Sequence, residues 1–327
     1  NDPSPSGQIV RVLGAPGLHQ TEMNAIMVEF GLPESFPEAV TLEAEGISDL
    51  ISESELKARA DFRAVPTFTI DPHDAKDFDD AISFRDLGNG VYEIGVHIAD
   101  VTHYVIPKTR LDADAYDRGT SVYLVDRTVP MLPEKLSNQL CSLRPNEDKL
   151  TFAAVFEMNT SGKILREWFG RTVIHSDHRF TYEQAQEGIE TGNGKFAAEL
   201  KTLNALALIL RKKRFENGAV NFESAEVKFK LDEHGKPLAV VPKVRKDAHK
   251  LIEEYMLLAN RAVATFIFKQ GGEKQKKGAL TFVYRTHDLP DPDKVQDFAN
   301  FARQFGHKIQ TDDTTISKSL NRLMDEI

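Results

Sequence analysis

From Asp71 to Asp80 the chain reads Asp-Pro-His-Asp-Ala-Lys-Asp-Phe-Asp-Asp, five acids in ten positions directly after an apolar, strand-like stretch. Carboxylates packed this closely repel one another, and a shared site does not hold them all ionised without compensation. A divalent cation supplies that compensation, and hard cations such as Mg²⁺ prefer oxygen ligands. Asp77, Asp79 and Asp80 are crowded beyond what a routine solvated face shows. A metal-assisted phosphoryl or acyl hydrolase is therefore the sharp reading, with an acidic surface loop as the bland alternative. An EF-hand loop starting at Asp77 needs an oxygen ligand at its fifth position and Gly at its sixth, where this chain has Ala81 and Ile82. Zinc signatures need His or Cys at fixed offsets, and one cysteine, Cys141, excludes a thiolate cluster. An all-aspartate donor set favours Mg²⁺ or Mn²⁺ over zinc.

A strand sends alternate side chains to opposite faces, so Asp77 and Asp79 would point together and Asp80 away. All three can serve one ion only if the segment is a bent loop. The elements that must position such a loop are mostly strands. Asp80 to Arg85 and Tyr92 to Ile98 flank Gly88-Asn89-Gly90, a hairpin signature. Leu150 to Met158 and Ile164 to Ile174 flank Ser161-Gly162-Lys163, and Val227 to Leu231 pairs with Leu238 to Val241. Helical patterns cover Thr21 to Phe30, Ser52 to Phe62, Leu111 to Gly119, Pro133 to Cys141, Phe196 to Asn217, Ala248 to Lys269 and Asp291 to Phe305. Gln8 to Leu13 reads as a short strand, and Gly95 to Val105, with His97 and His103, as strand-like. The mixture predicts an α+β fold with a largely antiparallel central sheet and packed helices.

Four blocks in order, Thr69 to Ala81, Gly95 to Val105, Val129 to Leu143 and His249 to Asn260, resemble the catalytic domain of the ribonuclease II and ribonuclease R family. The resemblance covers about residues 67 to 327, and Asn221 to Ser224 with Asp247 to Lys250 brings it nearer ribonuclease R. It implies a domain order: residues 1–50 as the tail of a cold-shock, oligonucleotide-binding barrel with a linker, 51–66 as a linker helix, and 67–327 as a C-terminally incomplete catalytic domain. It also implies an enzyme, a Mg²⁺-dependent, processive 3′→5′ exoribonuclease that hydrolyses single-stranded RNA with a free 3′ end to nucleoside 5′-monophosphates; Mn²⁺ would be a substitute metal. A catalytically dead RNA-binding module is the rival class, and a phosphohydrolase of small substrates a third.

By the same resemblance Asp71, Asp77, Asp79 and Asp80 form the metal-binding and catalytic set, with Asp79 the first to mutate. Asp74 is treated as non-ligating. Tyr123 and Phe222 would sandwich bases, against a bland reading as core aromatics. Tyr182 and Glu253 would read the terminal sugar; the bland readings are helix-start packing and an ion pair with Lys250. His97 and His103 are read as structural, Asp100 as an acid behind the metal set, and Arg285, near His287, as a phosphate contact or a salt bridge. The family's arginine-rich block, roughly Ser-Pro-Ile-Arg-Arg-Tyr, does not occur before Ile327, so the chain reads as a fragment of a longer enzyme.

A formal charge of −9 argues against a generic nucleic-acid coat. The basic stretches Arg211 to Arg214 and Lys243 to Lys250 read as solvated faces unless the fold gathers them. A single cysteine and no membrane-length apolar run fit a cytoplasmic protein without a membrane partner, expected as a monomer.

Overall fold

The structure, a computed structural model, describes residues 7–220, 226–233, 235–242, 244–272, 280–286, 288–312 and 315–327. Along the chain run α1 (His19–Glu29), α2 (Glu38–Glu45), α3 (Glu53–Ala58), β1 (Ala60–Asp61), β2 (Thr67–Asp71), β3 (Asp80–Gly88), β4 (Val91–Ala99), α4 (Val101–Tyr104) and α5 (Arg110–Arg118). Then come β5 (Val122–Tyr123), β6 (Thr128–Val129), a π-helical turn (Leu136–Leu140), β7 (Asp148–Asn159), β8 (Ile164–His175), β9 (His178–Thr181), α6 (Tyr182–Thr191) and α7 (Ala197–Glu216). Last are β10 (Val227–Leu231), β11 (Pro237–Pro242), α8 (Asp247–Gly272), α9 (Pro292–Gln304) and α10 (Ile316–Glu326). Among the described residues no helix is long and apolar enough to cross a membrane.

The chain forms two compact units, one from residues 1–50, 101–140 and 226–243, the other from 51–100, 141–225 and 244–327. In the first, α2 and α5 are tied through Glu43, whose carboxylate accepts the Arg110 N–H at 3.1 Å. The Thr109 hydroxyl caps α5 by accepting the Asp112 N–H at 3.2 Å. The unit also carries two ribbons, β5–β6 and β10–β11. Two expectations fail here. Gln8 to Leu13 forms no strand, because its apolar residues find no partner ladder: Ile9, Val10 and Val12 are exposed. His103 lies in helix α4, not in a strand.

The second unit is built on a seven-stranded sheet in the order β1-β8-β7-β4-β3-β2-β9. Its inner pairings are antiparallel, as expected, and both edges, β1–β8 and β2–β9, are parallel. Alternation decides the faces. Phe68 and Ile70, Ile82 and Phe84, Ile94 and Val96, and Ala154, Phe156 and Met158 all join the core that α6, α7 and α8 cover through Ala185, Leu200, Leu203, Leu251 and Tyr255. The fully buried Tyr255 donates its hydroxyl to the Leu203 carbonyl at 3.1 Å, which satisfies its polar end. The helix expected over Ser52 to Phe62 is confined to α3, with Ser52 as its cap, because the chain from Ala60 joins the sheet as β1.

His97 is fully buried on the opposite face of β4, between the Ser83 hydroxyl at 2.9 Å and the Thr172 hydroxyl at 3.2 Å, and burial pushes its pKa down to about 3. It is structural, as expected. Gly95 makes room for it: a Cβ there would strike Ser83 and His97. Asp100, directly after the same strand, is paired with an arginine. Its carboxylate is fully buried and accepts from the equally buried Arg59 guanidinium at 2.7 Å. Asp100→Ala removes the buried one of that guanidinium's two acids and leaves it only the partly exposed Glu55 at 3.1 Å, and urea unfolding is expected to show a loss of up to about 3–5 kcal/mol. The double variant Arg59→Met/Asp100→Ala should recover most of it.

Candidate active site: an acidic loop pinned between two strands

Asp71 is the last residue of β2 and Asp80 the first of β3. Residues 72–79 between them form no strand, so the bent loop that the alternation argument requires is present. Pro72, which has no N–H to give to a ladder, begins the departure from the sheet, and the Ala75 N–H closes a turn onto the Pro72 carbonyl at 3.1 Å. Four anchors then hold the backbone. The buried Ser142 hydroxyl accepts the Phe78 N–H at 3.1 Å and donates to the Lys76 carbonyl at 2.8 Å. The Leu143 N–H reaches the Phe78 carbonyl at 2.8 Å, and the Ala99 N–H reaches the Asp79 carbonyl at 3.0 Å. From β9, the Arg179 guanidinium donates to the His73 carbonyl at 3.0 Å and to the Pro72 carbonyl, and lies 5.3 Å from the Phe78 ring centre.

The acids held by this loop perturb one another. Asp71 is only 8% exposed, and its Oδ2 has no hydrogen-bond partner among the described residues. Burial, reinforced by Asp79 and Asp77, pushes its pKa up to about 6 against the pull of Thr69 and Arg179. Asp80 is pushed up to about 7 by burial, then by Asp71 and Asp79. Asp79 stands on the open side of the loop and is also raised, by partial burial and by Asp77. Asp74 is exposed. Tyr182 feels the same field: burial, then Asp80 and Asp71, raise its hydroxyl to about 12. The Cys141 thiol is likewise raised to about 12, by burial and then Asp79, and stays protonated near neutrality.

An all-carboxylate donor set with an orphaned buried oxygen fits a hard divalent cation. Among the described residues no group of three or more His, Cys, Asp or Glu side chains is placed to hold a metal. Mg²⁺ is commonly bound by one or two carboxylates plus waters and substrate phosphates, so a donor set of this kind can hold it without three closed protein ligands.

Of the other residues singled out from sequence, Tyr182 is brought to the acids. It opens α6 behind the Thr181–Gln184 capping box and stacks on His249 with ring centres 4.0 Å apart and planes within 8°. Glu253 is not paired with Lys250, which faces Asp247 at 3.8 Å. It sits instead among Arg211, Arg214 and Arg245, with Arg214 at 3.1 Å. The Arg211 to Arg214 run is divided: Lys212 and Lys213 are exposed, as a solvated face requires, while Arg214 donates to Glu254 at 2.6 Å. Tyr123 belongs to the first unit and is 65% exposed, so it is no core aromatic. Phe222 and His287 lie outside the described residues. Arg285 is exposed, with no ion pair among the described residues.

Ser142, Arg179 and His249 were not singled out from sequence. Ser142 and His249 lie inside two of the quoted blocks, so a block-by-block reading had them within reach. Arg179 becomes visible only through the parallel pairing of β2 with β9, which sets it beside Thr69.

A family model described as RNB domain matches residues 59–327, and one described as Cold shock domain matches residues 1–37. Ribonuclease R of Thermotoga maritima is 42% identical over 320 residues, 94% of this chain and 44% of that protein. The solved structure of Mycoplasma genitalium RNase R in complex with ribose methylated single-stranded RNA superposes with a TM-score of 0.84 at 27% identity, covering 93% of this chain and 48% of the other. Yeast Ssd1, described as a pseudonuclease, shares the fold with a TM-score of 0.68 at 21% identity, covering 92% of this chain and 37% of the other. The chain spans less than half the length of the curated relatives it matches.

The raised acids carry a stability consequence whose sign is fixed. The pKa of Asp80 is about 7 in the folded chain against 3.8 for a free side chain. Its contribution is therefore fully present below 3.8 and is lost as pH rises through about 7. Asp80→Asn stays neutral throughout. In chelator it is expected to melt above the parent at pH 8, by on the order of a few kcal/mol, with the difference fading toward pH 4. Thermal denaturation at the two pH values checks this.

Proposed function

This chain belongs to the RNB-domain family of ribonucleases, and from that premise we propose that it carries the acidic half of the catalytic centre of a Mg²⁺-dependent, processive 3′→5′ exoribonuclease. The substrate is single-stranded RNA with a free 3′ end, and the products are nucleoside 5′-monophosphates. One observation carries the reading: Asp71, Asp77, Asp79 and Asp80 are gathered on one pinned loop, where three of them are driven toward protonation by burial and by one another. Positive charge brought to that loop relieves the conflict.

Asp71, Asp77, Asp79 and Asp80 would hold Mg²⁺, or Mn²⁺ in its place. Bound there, the metal would polarise the scissile phosphate and lower the pKa of an attacking water. The protein supplies the rest. Asp79, on the open side of the loop, is the acid most accessible to substrate. Tyr182 keeps its proton and can donate to the terminal ribose, where a 2′-hydroxyl contact separates RNA from DNA. Tyr123 offers an exposed ring for stacking an unpaired base. Glu253, held among arginines, joins a charge network rather than standing free to read a sugar.

The second reading, RNA binding without cleavage, draws on the open arrangement of the acids and on a fold shared with a pseudonuclease. A 5′-labelled single-stranded RNA separates the two. With Mg²⁺ the intact protein is expected to give a ladder shrinking from the 3′ end, slowed about 100-fold or more in Asp79→Asn and absent for the all-deoxy strand. RNA retained without any ladder establishes the binding reading instead.

A further inference from the structure

A cleft of about 650 Å³ lies within the second unit, between the end of α9, the segment after it and α10, and no aspartate of the acidic loop lines it. Its wall brings together four cations, Arg303, Lys308, Lys318 and Arg322, with no acid among its described lining residues, in a chain whose formal charge is −9. All four cationic residues are exposed. Among the described residues, only Arg322 meets a carboxylate, that of Glu326 at 3.2 Å, while Arg303 donates to the neutral Asn300 amide at 3.4 Å. Lys308 and Lys318 make no ion pair there. Lys318 and Arg322 stand one turn apart on α10, whose other face buries Ile316, Ser319 and Leu323.

The wall is shaped by its own hydrogen bonds. The buried Ser319 hydroxyl accepts the Gln310 N–H at 2.9 Å, and His307 holds Glu326 at 3.0 Å, keeping that acid engaged. Like charges drawn together around a concavity concentrate a positive potential that an anion relieves. Guanidinium forks and ammonium groups in combination suit phosphate oxygens. The volume exceeds what one inorganic phosphate needs and falls within the about 300–1,000 Å³ of sites that take nucleotide-sized ligands.

We infer that this cleft is a phosphate-binding subsite for the backbone of a nucleic-acid strand, separate from the acidic loop. The inference rests on the RNA reading given above and extends it: the strand is gripped at a second place that takes no part in the chemistry. Free phosphate or a free nucleotide offers the same chemistry, and the test separates the two sources.

The intact protein carrying Asp79→Asn, in chelator so that cutting is suppressed, is titrated against fluorescent single-stranded RNA by anisotropy over a range of salt. Adding Lys308→Ala and Lys318→Ala is expected to weaken binding about 10-fold at low salt and to flatten the log–log salt slope by about 1–2. Lys212→Ala, at an exposed residue of α7 near Glu216, should change neither. Circular dichroism and the melting temperature of each variant establish that it is folded. Equal affinity and slope in parent and double variant overturn the subsite while leaving the RNA reading intact. An unchanged slope combined with a phosphate- or nucleotide-induced thermal shift that the double variant loses makes the cleft a small-anion site, which also overturns it. A parent that binds no RNA under any condition sinks the RNA reading, and this inference with it.

Discussion

The mutual repulsion of Asp71, Asp77, Asp79 and Asp80 is the constraint around which the second unit is arranged. Left to itself, a loop carrying so much like charge would spread into solvent. Here it is fastened at several backbone groups: Ser142 and Leu143 hold Lys76 and Phe78, Ala99 holds Asp79, and Arg179 holds Pro72 and His73. These anchors grip backbone atoms of the loop, not its carboxylates. Asp71 retains a buried oxygen with no partner among the described residues. A buried unsatisfied group of this kind calls for an explanation, and the proposed divalent cation supplies one.

The sheet explains why the anchors can be so dense. The loop leaves from β2 and returns as β3, two adjacent antiparallel strands, so its ends are fixed by one ladder. On the far side β2 pairs in parallel with β9, which sets Thr181 opposite Asp71, and the next residue is Tyr182. Three elements thus meet at one edge of a rigid scaffold whose core, centred on Phe68, Ile82, Phe156 and Tyr255, is closed by α6, α7 and α8. Behind the sheet, the Arg59–Asp100 pair and the His97 network fix β4, and with it the Ala99 N–H that the loop uses.

How far the sequence discloses this depends on the range of the interaction. The β3–β4 hairpin is legible because Gly88, Asn89 and Gly90, all at positive φ, state the turn locally. The acids are legible because they are neighbours in the chain. The bend of their loop follows from strand alternation alone, since acids of opposite parity cannot otherwise share a ligand. Arg179 is hidden because its partners His73 and Pro72 are more than a hundred residues away, across a parallel pairing that no local pattern announces. The basic run at 211–214 is half legible for a related reason: Lys212 and Lys213 are exposed, but Arg211 and Arg214 look free until α8 places Glu253 and Glu254 against them. Gln8 to Leu13 shows the converse, an apolar pattern with no strand to pair it.

The most direct test of the account is carboxyl ¹³C NMR titration of the aspartates in the metal-free protein, repeated with Mg²⁺, using Asp71→Asn and Asp80→Asn to assign the signals. The account predicts two aspartates titrating near 6 and 7 without metal, both shifting well downward when Mg²⁺ is added. Carboxyls that all titrate in the ordinary aspartate range and do not respond to Mg²⁺ would contradict it, because the loop would then hold no charge conflict for a cation to resolve.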